Sequence, residues 1–543
     1  MKYVLPLLLL ASPCFAQGSL SRAFPNGGQQ GTTVDVAFEG KDVPESATLM
    51  VEGAGIRGVG PFVKGAGKIE IAADAQPGVR QVRLTGAKSV TSPRPFAVGA
   101  LPELPEKEPN NTAAQSQRLE QLPVTINGSL VTRPDLDLFT ITLKQGECLV
   151  VAGESRSLGA ATNLLVRIRD PKGQELVSQM DYRTRDPLLG FTAPADGDYT
   201  VELSDVLNNY SGIDNSYVYR VTITKGAWID SVFPPGAQRG ATTRVAFTGW
   251  NLDGKPGPSR LETDVAVPQD AASRFPVTAG GAANRVSLQV GDAPSVTEAE
   301  PPTGVTATPQ VLSLPVTVNG TFGARGDVDT YQFSAKAGDR LRLDVDAREL
   351  GSFADAILTV RDAAGKLLTT ADDAEGTRDP RLLWTVPTEG TYKVVLRDVA
   401  SGSRGGPEFF YRLTIAPPAP ELRATTADPT LVLKPGQKLE VTVKVIATEL
   451  SEPVVISAEG LPTGVTAPPV TTGEARRRSG ASESKLVFTA AAGATPGCTP
   501  LRILAKSGGL SVPVRATWVL SSDRSGTLAE GSTDTLALLI PVP

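Results

Sequence analysis

Apolar and polar positions alternate with a period of two in short runs along this chain. Val34, Val36 and Phe38 alternate with polar or small residues, and Leu439-Glu-Val-Thr-Val-Lys-Val-Ile446 does so over most of its length. Successive strand side chains point to opposite faces, so each run predicts a strand with one face on a core. Leu431-Val-Leu-Lys-Pro-Gly436 reads as a strand ending in a turn; Leu461-Pro-Thr-Gly-Val-Thr466 and Leu501-Arg-Ile-Leu504 extend the pattern. No amphipathic helix longer than a turn or two is evident. Gly 54 and Pro 44, without a collagen period, fit many short strands joined by turns, and the predicted class is all-β.

The chain repeats itself. Asn127-Gly128 recurs as Asn319-Gly320, Asp135-Leu-Asp137 as Asp327-Val-Asp329, and Tyr219-Arg220 as Tyr411-Arg412, each offset by 192 residues. Asp186-Pro187 and Tyr199 recur at 193, as Asp379-Pro380 and Tyr392, which one inserted loop residue explains. A second repeat precedes each copy: Phe24-Pro25, Gly31, Val36-Ala-Phe38 and Gly40 return 209 residues later as Phe233-Pro234, Gly240, Val245-Ala-Phe247 and Gly249. The expected organisation is a signal peptide (1–16) and five β-sandwich domains, at 17–100, 101–225, 226–292, 293–417 and 418–543. Leu101-Pro-Glu-Leu-Pro105 and Pro417-Pro-Ala-Pro420 read as semi-rigid linkers, giving an elongated rod.

The richest chemistry lies between Glu106 and Asp137. In an extended strand Glu106 and Glu108 share a face, and Asp135 and Asp137 have the same spacing. If the fold joins the two pairs, four carboxylates and the Asn110 and Asn111 amide oxygens converge. Such a group is either solvated or neutralised by a hard cation, and Ca²⁺ takes about 6–8 such oxygens. Asn-Asn and Asp-Pro are also ordinary turn formers.

Glu108-Pro-Asn-Asn111, Asn127-Gly128, Asp135-Leu-Asp-Leu-Phe139, Gly146-Glu147, Asp170-Pro-Lys-Gly173, Asp186-Pro187 and Asp196-Gly-Asp-Tyr-Thr200 follow in an order that resembles the bacterial pre-peptidase C-terminal domain, a small jelly-roll-like β-sandwich. The resemblance implies calcium on Glu106, Glu108, Asn110, Asn111, Asp135 and Asp137, as in collagen-binding members. For the second copy it implies a weaker set, Glu298, Glu300, Asp327 and Asp329, because Pro302-Thr303 replaces the Asn pair. The order Phe-Pro-x-Gly, apolar strand, Gly-Trp-Asn-Leu252 is similar to the immunoglobulin-like fold of transcription-factor and plexin (IPT/TIG) type. The last segment looks like another immunoglobulin-type sandwich.

Composition narrows the function. The chain has no His, which removes Ser-His-Asp and Cys-His catalysis and every His-ligated metal. No Gly-x-Ser-x-Gly occurs, and Asp372-Asp373 reads as a solvent-facing loop pair. A net charge of −5 argues against nucleic acid. Met1-Lys2 and the run Val4–Ala11, with cleavage after Ala16, read as an export signal, and no later run reaches the ~20 apolar residues of a membrane span. Cys148 and Cys498 read as small apolar residues and not as a disulfide.

Tyr199 and Tyr392 are expected in the core with hydroxyls capping backbone groups. Tyr210 and Tyr217 flank a polar loop and are candidates to bind a polymer, against a plainer reading as loop anchors. Asn127-Gly128 and Asn319-Gly320 read as hairpin turns in preference to glycosylation sites. The expected function is a non-catalytic, exported binding or scaffold protein in the periplasm, on the cell surface or secreted. It would engage an extracellular or surface polymer, protein or glycan, with calcium stiffening a domain junction. The alternatives are an accessory of a separate secreted peptidase and a His-free hydrolase with paired carboxylates.

Overall fold

The computed structural model describes residues 18–130, 135–182, 185–206, 216–299, 308–374, 377–472, 480–522 and 526–542. The signal segment, Tyr210, Glu300 and Arg476–Arg478 lie outside them. The described residues form strands and two 3-10 turns, with no α-helix. The chain is all-β, as the period-two patterning requires.

The strands gather into five successive packed bodies. Residues 19–99 form an eight-stranded sheet around Phe38, Phe62, Val82 and Phe96. Residues 103–224 form two five-stranded sheets, 228–291 two three-stranded sheets, and 295–416 a five- and a six-stranded sheet. Residues 421–540 share one large sheet system around Val443, Ile456, Phe488 and Ile503. The bodies at 103–224 and 295–416 share one strand order. Asp137–Leu143 pairs antiparallel with Gly197–Asp205, which pairs with Leu164–Arg169; Val328–Ala335, Gly390–Asp398 and Ala356–Asp362 repeat this.

Three expectations change. Asn127-Gly128 is no turn: it lies inside the buried strand Val124–Ser129, paired with Arg220 and Tyr219. Asn127 gives its amide to Glu103 (2.8 Å), and its burial removes it as a glycan acceptor. The Pro-rich stretch before Glu106 is no free linker, since Glu103–Pro105 joins the sheet in parallel with Val124–Ser129. The rod is also wrong, because the chain closes on itself. Buried Arg83 donates to the Pro429 (3.0 Å) and Thr535 (3.1 Å) carbonyls, and Glu52 accepts the Asp534 N–H (2.9 Å). Val90 packs with Ala537 and Leu539 beside them, and Trp518 joins the core of the 103–224 sandwich.

The bodies at 19–99 and 228–291 each meet the sandwich that follows around one arginine. Arg220 pairs with Glu103 and Glu154 and fills the space a side chain at Gly27 or Gly99 would need. Arg412 donates to the Gln289 carbonyl and fills the space a side chain at Gly236 would need. Trp250-Asn251 serves the next junction: Asn251 donates to the Cys148, Lys225 and Gly226 carbonyls, and the Trp250 indole lies against Gly190.

The closing contact is testable. Arg83→Met strips the Pro429 and Thr535 carbonyls of their donor and leaves Glu52 without its nearby cation. Small-angle scattering is expected to show a more extended particle whose domains stay folded. An unchanged scattering profile would count against the closure.

Candidate metal centre

The acidic stretch comes together at one end of the first sandwich. Strand Asp137–Leu143 starts at the cluster, and Asn110 is tied to it by the Leu138 N–H on its carbonyl (3.2 Å). Glu108 caps the turn between them by accepting the Asn110 N–H (3.0 Å). One carboxylate oxygen each from Glu108, Asp135 and Asp137 then lie within 4.8 Å of one another. Asp135, Asp137 and Asn110 are fully buried, whereas Glu108 is exposed.

The six residues expected at the site divide by role. Glu108, Asp135 and Asp137 converge, with Asn110 beside them. Asn111 instead accepts the Leu136 N–H through its side-chain oxygen (2.8 Å) and holds the turn. Glu106 stands behind the cluster: its Oε1 accepts the Ser129 N–H (2.7 Å), and its Oε2 accepts the Tyr219 hydroxyl (2.7 Å).

The electrostatics do not close without a partner. Neither Asp137 oxygen receives a hydrogen bond of normal geometry, and neither amide atom of Asn110 has a partner. Tyr219 has one proton and gives it to Glu106. Burial, and then the Glu106 charge, push the Asp137 carboxyl up to about 10. Burial is also the main cause raising Glu106, and it raises the Tyr219 phenol too. A buried carboxylate with no donor costs several kcal/mol unless it is protonated or neutralised. Three carboxylates and an unpartnered amide oxygen are the donor set of a hard cation, and the residues fit one.

The titration has a sign that can be checked. Without a cation the folded cluster keeps a proton that the unfolded chain releases above the ordinary carboxyl value of 3.8. Its contribution to stability is therefore complete below about 4 and lost as the pH rises through about 10. Thermal melting of the first sandwich in chelator is expected to fall across that window, and a flat profile would contradict the buried pair.

The second sandwich differs. Glu298 accepts the Thr321 N–H (2.6 Å), Asp327 the Gly323 N–H (2.7 Å) and Asp329 the Tyr411 hydroxyl (2.6 Å). Among the described residues these three form no cluster like that of the first copy. Asp355, Asp372 and Asp373 do approach one another, but Asp372 and Asp373 are exposed, as expected of a solvent-facing loop.

The other tyrosines separate cleanly. Tyr199 donates to the Ala195 carbonyl (2.8 Å), and Tyr392 to that of Thr388, as the sequence predicts. Tyr217 is buried in the core of the first sandwich, which removes it as an exposed ligand-binding aromatic. Sequence reasoning missed Tyr219, Ser129 and Gly128. Their signal was present, since Tyr219-Arg220 and Asn127-Gly128 recur together in the second copy. The two pairs face each other across one ladder in both sandwiches.

The family model of the bacterial pre-peptidase C-terminal domain matches residues 327–398. A probable subtilase-type serine protease of Deinococcus radiodurans is 33% identical over 197 residues, covering 35% of this chain and 26% of that protein. The chain thus spans about a quarter of that relative's length. Among solved structures, the pre-peptidase C-terminal domain of a Bacillus anthracis collagenase aligns at 10% identity and TM-score 0.17, over 21% of this chain and 98% of its own. The N-terminal four immunoglobulin domains of Dscam1 align at 10% identity and TM-score 0.17, over 91% and 96%.

Proposed function

We propose that this protein is an exported, non-catalytic scaffold of immunoglobulin-like and pre-peptidase C-terminal-like sandwiches, two of each of the repeated kinds, with a calcium ion stiffening the 103–224 sandwich. The observation that carries this reading is the Glu108–Asp135–Asp137 cluster, both Asp side chains buried, beside the unpartnered Asn110 amide. Glu108, Asp135, Asp137 and the Asn110 oxygen would hold the ion, which supplies charge neutralisation and no chemistry on a substrate. The cluster joins the segment entering the sandwich to the start of a core strand. An ion there ties the Glu103–Pro105 edge and the Arg220 junction to the domain core. The Asp pair is buried, so it cannot meet a polymer substrate as paired hydrolytic carboxylates must.

The scaffold's partner is a protein or glycan outside the cytoplasm. A separately made peptidase is the second reading, favoured by the similarity to a subtilase-type protease. Here the sandwiches position an enzyme or its substrate.

Calcium titration of the full chain tests the ion. Binding of one Ca²⁺ and a higher melting temperature are expected, worth about 2.7 kcal/mol at a hundredfold excess over Kd. Asp137→Asn is expected to weaken binding while raising stability in chelator by roughly 1 kcal/mol, because it replaces a buried carboxyl that must hold a proton in the folded state with an amide that needs none. No heat and no melting shift would refute the ion. Hydrolysis of a protein or glycan by the purified chain, lost in a single carboxylate variant, would refute the non-catalytic reading.

A further inference from the structure

The two sandwiches solve one electrostatic problem with different numbers of protons. In each, two acidic residues meet beneath a core tyrosine: Glu106 and Asp137 under Tyr219, and Glu298 and Asp329 under Tyr411. The first copy has one phenol for the two carboxyls. Tyr219 donates to Glu106, and Asp137 receives no donor of normal geometry.

The second copy has two phenols. Tyr331 occupies the register position of Phe139, and both sit on equivalent strands opposite Val394 and Val201. The Tyr331 hydroxyl lies 2.6 Å from that of Tyr411 and 3.3 Å from Glu298, while Tyr411 lies 2.6 Å from Asp329. With Tyr411 donating to Asp329 and Tyr331 to Glu298, two hydroxyl protons can serve both carboxyls from within the protein.

We infer that the Tyr331 hydroxyl does in the second sandwich what a cation does in the first, so the residue at 139 or 331 decides whether a copy depends on the ion. This rests on the cation reading proposed for Glu108, Asp135 and Asp137. Neither Phe139 nor Tyr331 is among those ligands. Both rings are buried, so the swap changes one oxygen and little volume. The inference predicts a chain with one ion-dependent and one ion-independent sandwich.

The test uses the full exported chain with Ca²⁺ alone as probe, read by calorimetric stoichiometry and by melting with and without chelator. Wild type is expected to bind one ion. Phe139→Tyr is expected to raise the melting temperature in chelator, to lose most of the calcium-induced shift, and to weaken binding about tenfold or more. Tyr331→Phe is expected to lower the melting temperature in chelator and leave the first ion in place.

If wild type binds one ion and Phe139→Tyr binds it unchanged, the inference is wrong and the cation reading stands. Two ions on wild type would also overturn the inference. If wild type binds none, the cation reading falls, and with it the claim that the hydroxyl replaces an ion. Should Phe139→Tyr not fold, Tyr331→Phe decides: unchanged stability in chelator overturns the inference.

Discussion

Asp186→Ala is expected to destabilise the first sandwich by about 3–5 kcal/mol, the largest effect foreseen for a single substitution. Asp186 is buried, and its two oxygens accept the backbone N–H groups of Ser155 (3.0 Å), Arg156 (2.8 Å) and Ser157 (3.1 Å). These open the 3-10 turn Arg156–Leu158, whose first donors have no partner within the turn. Alanine removes the acceptor of all three, and each lost charge-assisted bond costs about 1–3 kcal/mol. Leu158, fully buried at the end of that turn, would lose its anchor.

Asp379 makes the same three bonds to Ala347, Arg348 and Glu349, so Asp379→Ala should harm the second sandwich comparably. Denaturant unfolding followed by Trp250, which packs on Gly190 of the first sandwich, reads the Asp186 effect. A loss under about 1 kcal/mol would show that the turn finds other acceptors.

Gly128→Ala is expected to cost about 3 kcal/mol, at the upper end for overpacking a core. The backbone there is ordinary strand, so conformational freedom is not the reason. A Cβ at Gly128 would sit 2.2 Å from the Tyr219 ring and hydroxyl and 2.3 Å from Glu106. The strand is locked on both sides by the ladders to Val218–Thr224 and Glu103–Pro105, so it cannot retreat. The ring must move, breaking the Tyr219–Glu106 bond and leaving Glu106 Oε2 without its phenol donor. Calcium affinity should fall along with stability. Gly320→Ala meets Tyr411 and Glu298 at similar distances and should behave alike. An alanine variant melting within a degree or two of wild type would mean that the phenol is not seated over the glycine.

Much of this was legible before the structure. The 192-residue and 209-residue repeats located the equivalent elements, because equal spacing of unlike residues preserves a register. The acidic spacing put Glu106 with Glu108 and Asp135 with Asp137 on shared faces, and only the family resemblance implied that the two pairs meet. The roles of Asn127-Gly128 and Asp186-Pro187 were misread or missed. Both are common turn dipeptides, and local preference cannot reveal that a tyrosine from a distant strand needs the missing Cβ. Tyr217 was singled out as a candidate ligand contact because its loop looks polar, but its ring turns inward to the core, as the plainer loop-anchor reading had it.

By itself the sequence determined the all-β class, the succession of repeated units and the absence of histidine chemistry. These follow from period, spacing and composition, which are properties of the chain read in line. Only the tertiary structure decided that Asp137 receives no donor of normal geometry while Asp329 meets a hydroxyl, and that Arg83 bonds to carbonyls near the other end of the chain. Those outcomes depend on distances between residues up to several hundred positions apart, where burial removes water and leaves each charge to whatever donor the fold brings near.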